Sequence, residues 1–203
     1  MMDGISQLFF SISKIQLDFY REIDSQDLIS EINYKKKQIN HLVTDKKLSN
    51  LFFDYLTRYY YFASKLIHSN IIADLSDQHS DLNLSMRLKS LASLQNKIEK
   101  YYRGKLSGRI PIQKCVNDIL GFRIILKQDC SQEPSFIQMC DDHKRNNIIR
   151  KYYFKDDSGY RGMHIYFNAQ SNLFLPWELQ VWYDEDESDN YRSHLKYKQT
   201  YFR

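Results

Sequence analysis

Asn117-Asp118-Ile119-Leu120-Gly121-Phe122-Arg123-Ile124-Ile125-Leu126 is a largely apolar, β-branched run that opens on two polar residues. From Ile119 to Leu126 it reads as a buried strand. Upstream, Ser90 to Tyr102 has helical spacing and stops at Gly104, followed by a turn over 104–111. Before that, Leu82, Leu84 and Met86 alternate with polar residues, a short strand running into Arg87. Downstream, a helix fits 134–144, and strands fit 148–154, 163–169 and 174–182, the last two joined by a polar turn at 169–172. The final twenty residues are polar and expected to be helical.

The first hundred residues differ in kind. Five of the six glycines fall between Gly104 and Gly162, and all three prolines lie at 111 or later. Ile5, Leu8, Phe9, Ile12, Ile15 and Phe19 keep the three-to-four spacing of one helical stripe. Asp24-Ser25 offers an N-cap for a weaker helix marked by Leu28, Ile32, Ile39 and Val43. Thr44 or Asp45 starts a third, with Leu48, Leu51, Phe52, Tyr55, Leu56, Tyr59 and Phe62 inward. The polar segment 70–81 reads as loop. The expectation is an α+β chain: a helical region over 1–80, then over 81–203 a mixed sheet of about five strands flanked by helices. No internal repeat or low-complexity tract is visible.

Composition narrows the class. The chain has 203 residues, 42% of them hydrophobic, and no apolar run approaches the ~20 residues of a membrane span. Met1-Met2-Asp3-Gly4-Ile5 has no basic start or small-residue cleavage site, so a cytoplasmic location is expected. Cys115, Cys130 and Cys140 have no C-x-x-C spacing and read as packed, reduced thiols. Cys140-Asp141-Asp142-His143 lacks the partners zinc needs and reads as the polar end of a helix. A net charge of +4 suits phosphate-rich ligands without arguing for nucleic acid.

Four stretches carry chemistry. In Arg87-Leu-Lys89-Ser-Leu-Ala-Ser93-Leu-Gln-Asn-Lys97, two cations leave a strand end, while Ser93 and Lys97 share one face of the next helix. Cations and a hydroxyl at a helix start make a polyphosphate cradle, although a solvated basic helix start looks the same. Asp118 stands at the mouth of an apolar strand, where carboxylates commonly hold Mg²⁺, and Arg123 could stack on a base or simply pair with Asp118. Asp157-Ser-Gly-Tyr160-Arg-Gly-Met-His164 is a glycine-punctuated loop presenting Tyr160 and His164 to a ligand, or a plain turn. In Trp177-Glu178-Leu-Gln180-Val-Trp182, Glu178, Gln180 and Trp182 share one strand face. A glutamate centred in an apolar strand is costly unless paired or functional, which singles out Glu178.

Taken in order, R-x-K-x-x-x-S-x-x-x-K, D-I-x-G-x-R, G-Y-x-x-x-H and E-L-Q resemble the synthetase domain of RelA/SpoT enzymes, in particular small alarmone synthetases. The resemblance spans about 82–198, including His194 and Tyr197-Lys198. It implies a nucleotidyltransferase-like synthetase fold and Mg²⁺-dependent transfer of pyrophosphate from ATP to the 3′-hydroxyl of GDP or GTP. Arg87 and Arg123 would sandwich the adenine, and Lys89, Ser93 and Lys97 would grip the triphosphate. Asp118 would hold Mg²⁺, with Glu178 assisting or acting as general base. Tyr160 would stack on the acceptor base, with His164 and Gln180 beside the acceptor.

Two departures fall on the acceptor side. Where the family continues E-x-Q with x-R-T, this chain has Trp182-Tyr183, and Asp156 stands where the family has a lysine, with Lys155 adjacent. The hydrolase half's His-Asp motif has no counterpart, since Asp142-His143 runs in reverse order. Toxic family members that modify the tRNA 3′ end, and others that use adenosine nucleotides, supply the alternative acceptors. For tRNA, Lys35-Lys36-Lys37 and Lys46-Lys47 are the relevant cations, and a neutralising antitoxin would be a partner. A non-catalytic nucleotide-binding regulator is the third alternative.

Overall fold

A computed structural model of the protein describes residues 1–24 and 32–199, apart from the side chains of 197–199. Helix α1 (Met2–Asp24) is followed by α2 (His41–Thr44), α3 (Lys46–Ile67) and α4 (Asn70–Gln78). Then come strand β1 (Ser85–Leu88), α5 (Leu91–Arg103), α6 (Ile112–Cys115), β2 (Leu120–Leu126) and α7 (Pro134–Arg145). Strands β3 (Ile149–Asp157), β4 (Tyr160–Phe167) and β5 (Glu178–Tyr183) precede α8 (Glu187–Gln199). The sheet is mixed, in the order β1-β2-β5-β4-β3; β2 and β5 are parallel and every other pair is antiparallel.

Register sorts the strands into two faces, because side chains alternate and paired residues share a side. Gly121 opposes Glu178, Arg123 opposes Gln180, Gln180 opposes His164, and Glu178 opposes Tyr166. Arg87 opposes Gly121, and Tyr153 opposes His164. One face therefore carries Arg87, Arg123, Glu178, Gln180, Trp182, His164, Tyr166 and Tyr153. The opposite face carries Phe122, Ile124, Leu179, Val181, Met163, Ile165 and Phe167, all buried. Helices α1, α3 and α7 cover this apolar face. Phe9 meets Phe167 edge-on with centroids 6.0 Å apart, and Phe19 meets Trp177 at 5.3 Å. Trp177 Nε1 donates to Tyr59 Oη at 2.8 Å, so the large aromatic residues of the helices share one buried cluster with the sheet. Each such side chain, fully buried, contributes about 1.5–3 kcal/mol.

Several expectations are corrected. The segment 70–81 is not loop: Ile72 and Leu75 form a buried helical stripe in α4, and Ser80–Leu82 adds a 3₁₀ turn. Polar composition hid the spacing. Leu82 accordingly lies outside β1, separated from it by Asn83 in the left-handed region at φ 47°. Ile32 and Ile39 are buried in turns ahead of the four-residue α2, not in a continuous second helix. Ser25 and Leu28, read as part of that helix, lie outside the described residues. The loop expected over 157–164 is a hairpin instead. Asp157 pairs with Tyr160 across a two-residue turn, Ser158 at φ 56° and Gly159 at φ 79°, so Tyr160 and His164 both stand in β4. The last strand starts at Glu178 rather than 174.

The three cysteines are free and buried, and burial pushes Cys115 and Cys140 up to about 12 and Cys130 up to about 11. The run 140–143 lies at the end of a helix, as expected, with His143 in the last turn of α7. This histidine is buried, and one ring nitrogen lies 2.8 Å from Ser6 Oγ of α1. No described helix is long and apolar enough to cross a membrane.

Candidate active site on the polar face of the sheet

At the β1 end, Ser90 caps α5, its hydroxyl accepting from the Ser93 amide at 3.2 Å and donating to Ser93 Oγ at 2.9 Å. This turn sets Lys89 before the helix and Lys97 nearly two turns inside it. Both reach Asp118, just ahead of β2: Lys89 Nζ to Oδ2 at 2.9 Å and Lys97 Nζ to Oδ1 at 3.0 Å. Asn117 Oδ1 accepts from Lys97 as well, at 3.1 Å. All three charged side chains are 12–14% exposed. Burial alone would lower the Lys97 ammonium, yet the Asp118 carboxylate, with smaller help from Cys115 and Glu178, carries it above its ordinary value. Arg87 lies against Gly121, where a Cβ would stand 3.6 Å from its Nε.

Glu178 lies in the middle of the sheet, 3% exposed. Its Oε1 accepts from His164 Nδ1 at 2.8 Å and from Tyr166 Oη at 2.7 Å, and its Oε2 accepts from Gln180 Nε2 at 2.9 Å. Arg123 Nη2 donates in turn to Gln180 Oε1 at 3.1 Å. Burial would raise the Glu178 carboxyl, but His164 and Tyr166 hold it down, to about 2. A carboxylate so well satisfied is a weak base and a strong anchor. Beyond it, Trp182 Nε1 donates to Tyr160 Oη at 3.1 Å, and Tyr160 Oη lies 2.9 Å from His164 Nε2. With Nδ1–H turned to Glu178, His164 Nε2 is an acceptor and the Tyr160 hydroxyl donates to it.

The Trp182 ring also carries the Arg123 guanidinium, 3.4 Å above its centroid. Burial and the neighbouring Arg87 lower Arg123. His194 of α8 packs against Trp182 and Tyr160, each with centroids 5.5 Å away, and burial with Arg87 and Arg123 lowers it to about 4. Gly162 is what permits this packing: a Cβ there would sit 3.0 Å from Trp182 Cδ1 and 3.1 Å from Val181 O. The missing Cβ lets the Trp182 ring lie against the β4 backbone. Helix α8 is held by Asn190, fully buried, whose amide pairs both backbone groups of Arg161 at 2.7 and 2.8 Å.

A family model for the region found in RelA/SpoT proteins matches residues 86–201, more than half of the chain. The chain belongs to the RelA/SpoT family. It is also similar to the crystal structure of small alarmone synthetase 1 from Bacillus subtilis, with 21% identity over 77% of this chain and 82% of that one, TM-score 0.41. The same synthetase bound to its product pppGpp is 19% identical over the same shares, TM-score 0.35. No curated protein matches the chain.

Of the motif residues, Arg87, Arg123, His164, Glu178 and Gln180 lie on one sheet face, with Lys89, Lys97 and Asp118 beside it. They are not equally open. Tyr160 is 5% exposed, its ring enclosed by Trp182 and His194, whereas Tyr153 of β3 is 41% exposed. The two departures also acquire structure. Trp182 fills the space under α8, and Asp156 pairs with Arg161 at 3.3 Å. Lys155 turns to the Tyr160 ring, 5.2 Å from its centroid.

Sequence reasoning missed Tyr166, Asn117, Tyr153 and Lys151. Tyr166 and Tyr153 share the site face by parity, a signal available once His164 is placed in a strand. Lys151 is obscured by the register shift between Ile149 and Lys151. The Lys151 ammonium lies 4.4 Å from the Tyr166 ring centroid and 5.4 Å from that of Tyr153.

Among the described residues no three His, Cys, Asp or Glu side chains converge as a self-sufficient metal site. Mg²⁺ needs only one or two carboxylates when phosphates complete its shell, and Asp118 fits that demand. Its oxygens now face two ammonium groups, which a polyphosphate would draw off. Glu178 fits less well, because both its oxygens already accept hydrogen bonds.

Proposed function

We propose that the chain is a pyrophosphokinase that moves pyrophosphate from ATP to the 3′-hydroxyl of a guanosine nucleotide, GDP or GTP. Residues 81–203 are the catalytic unit on this reading, and 1–80 its helical support. The observation that carries it is the closure of Lys89 and Lys97 on Asp118 beside the first turn of α5, at 2.9 and 3.0 Å. Such a cluster exchanges an internal counter-charge for a polyphosphate and its cation.

Arg87 and Arg123 take the adenine, and Lys89, Ser93 and Lys97 take the phosphates. Asp118 would hold Mg²⁺, which would neutralise charge on the phosphates. The acceptor hydroxyl attacks the β-phosphorus of ATP and releases its proton to solvent, the bond from that phosphorus to the oxygen bridging to the α-phosphate breaks, and AMP leaves with that oxygen. Glu178 fixes His164 in the Nδ1–H form and orients Gln180, while Tyr160 holds His164 from the other side. Tyr160, His164 and Gln180 thus make the acceptor side, and catalysis is mainly positioning.

Labelled ATP incubated with GDP, GTP, adenosine nucleotides and bulk tRNA tests this reading. Label on a guanosine nucleotide supports it, and no transfer to any acceptor sinks it.

A further inference from the structure

Four cations from separate parts of the chain surround one cavity behind the Glu178 network. Its volume is about 320 Å³, and Lys35, Lys114, Arg150 and Lys151 line it, with Asn117 and Tyr166 on the wall nearest the site. Asn117 accepts from Lys97, and Tyr166 donates to Glu178, so the cavity touches both halves of the polar network. No carboxylate lines it. Among the described residues none of the four cations forms an ion pair within 4.0 Å.

Their crowding is felt. Burial lowers the Lys151 ammonium, and Lys114, Arg150 and Lys97 lower it further, against Glu178 alone on the other side. The aim of Arg150 is fixed by Gln113, 5% exposed, whose Oε1 accepts from Arg150 while its Nε2 donates to Phe174 O at 3.1 Å. A second hollow of about 410 Å³ shares Lys35, Gln113 and Arg150 and continues to the polar segment 168–172. Like charges held together without a counter-ion are unfavourable until an anion joins them.

We propose that this cavity binds the phosphates of the acceptor, replacing from the β3 edge the cations missing at 156 and 182. The inference rests on the transferase reading above. The ligand chemistry is a nucleoside bearing 5′-phosphate, either a free di- or triphosphate or the end of an RNA strand. Tyr153 offers such a nucleoside an exposed ring, parallel to His164 at 5.2 Å and next to Lys151.

Kinetics of the variant K114Q/R150Q/K151Q test the proposal, with GMP, GDP, GTP and bulk tRNA each as acceptor. Acceptor KM should rise about tenfold or more while KM for ATP stays within about twofold. For a free nucleotide the loss should grow from GMP to GTP; for RNA it should appear as a shallower dependence on salt. Acceptor KM within about twofold of wild type, or ATP KM rising in step, overturns the proposal. A second measurement needs no turnover: acylation of lysines in the wild-type protein, mapped by mass spectrometry, with an excess of a non-hydrolysable ATP analogue. Adding tripolyphosphate should protect Lys114 and Lys151. Protection without any label transfer leaves the cavity standing and removes the transferase reading. Transfer with neither protection nor a KM change does the reverse.

Discussion

The two ends of the polar face are built on opposite electrostatic plans. At the β1–α5 end, Lys89 and Lys97 already close on Asp118, and the parts span only residues 87–123. At the β3 edge, Lys35, Lys114, Arg150 and Lys151 converge with no carboxylate among them, gathered from 35 to 151. The first arrangement holds its geometry without a ligand, since each ammonium has a partner. The second is incomplete until an anion arrives. A site that recognises ATP can be pre-set around a carboxylate, whereas one that takes a variable acceptor has only charge and ring area to offer.

Removing the internal counter-charge should have the largest effect. Asp118→Asn leaves Lys89 and Lys97 facing a neutral amide and removes the carboxylate proposed to hold Mg²⁺. Label transfer from ATP should fall by about 10³ or more, at a cost of several kcal/mol. Activity within tenfold of wild type would mean the β1–α5 end does not depend on its own carboxylate, and the contrast would collapse. Glu178→Gln comes next, because an amide nitrogen would face donors where an oxygen now accepts. Turnover should drop by about a hundredfold with ATP binding nearly unchanged, read by single-turnover assay and calorimetry. An ATP affinity that falls in step would show Glu178 serving both ends.

Gly162→Ala should unsettle the acceptor side alone, since the new methyl meets Trp182 and Val181 O. The overpacking costs about 1–3 kcal/mol, a fall of about 2–4 °C in Tm per kcal/mol. KM for ATP should hold. Acidification separates two groups. His194, lowered from 6.5 to about 4, stays neutral in the fold, so its contribution is complete above pH 6.5 and lost as pH falls towards 4. Glu178, lowered from 4.5 to about 2, adds a loss only between pH 4.5 and 2. A Tm profile flattened above pH 4.5 in His194→Phe checks the first window. The smallest effect belongs to Lys36, Lys37, Lys46 and Lys47. They do not line the cavity as Lys35 does, so neutralising all four should leave acceptor KM within about twofold.

The β1–α5 end was legible because its residues are close in sequence and follow element boundaries. Ser90 caps the helix that Gly104 ends, and Asp118 precedes an apolar strand whose parity is plain. The β3 edge was not. Lys35 sits in a turn, Lys114 in a four-residue helix, and Arg150 and Lys151 at a register shift, so no periodicity links them. Lys35, grouped from the sequence with the basic run relevant to tRNA, lines the cavity with the other three. Glu178 was legible from its apolar neighbours, but the donors that weaken it as a base come from β4, fourteen and twelve residues away. The helix over 70–78 was lost to its polar surface, although Ile72 and Leu75 carry its buried stripe.

Asn190 gives the site a clock. Its buried amide occupies the place a neighbouring strand would take, pairing the N–H and C=O of Arg161 beyond the last β4–β5 pair, Met163 with Val181. The Arg161 N–H can exchange with solvent only when its bond to Asn190 opens. The exchange lifetime of that single backbone hydrogen, followed by deuterium uptake with and without nucleotide, therefore times how often the tie between α8 and β4 breaks.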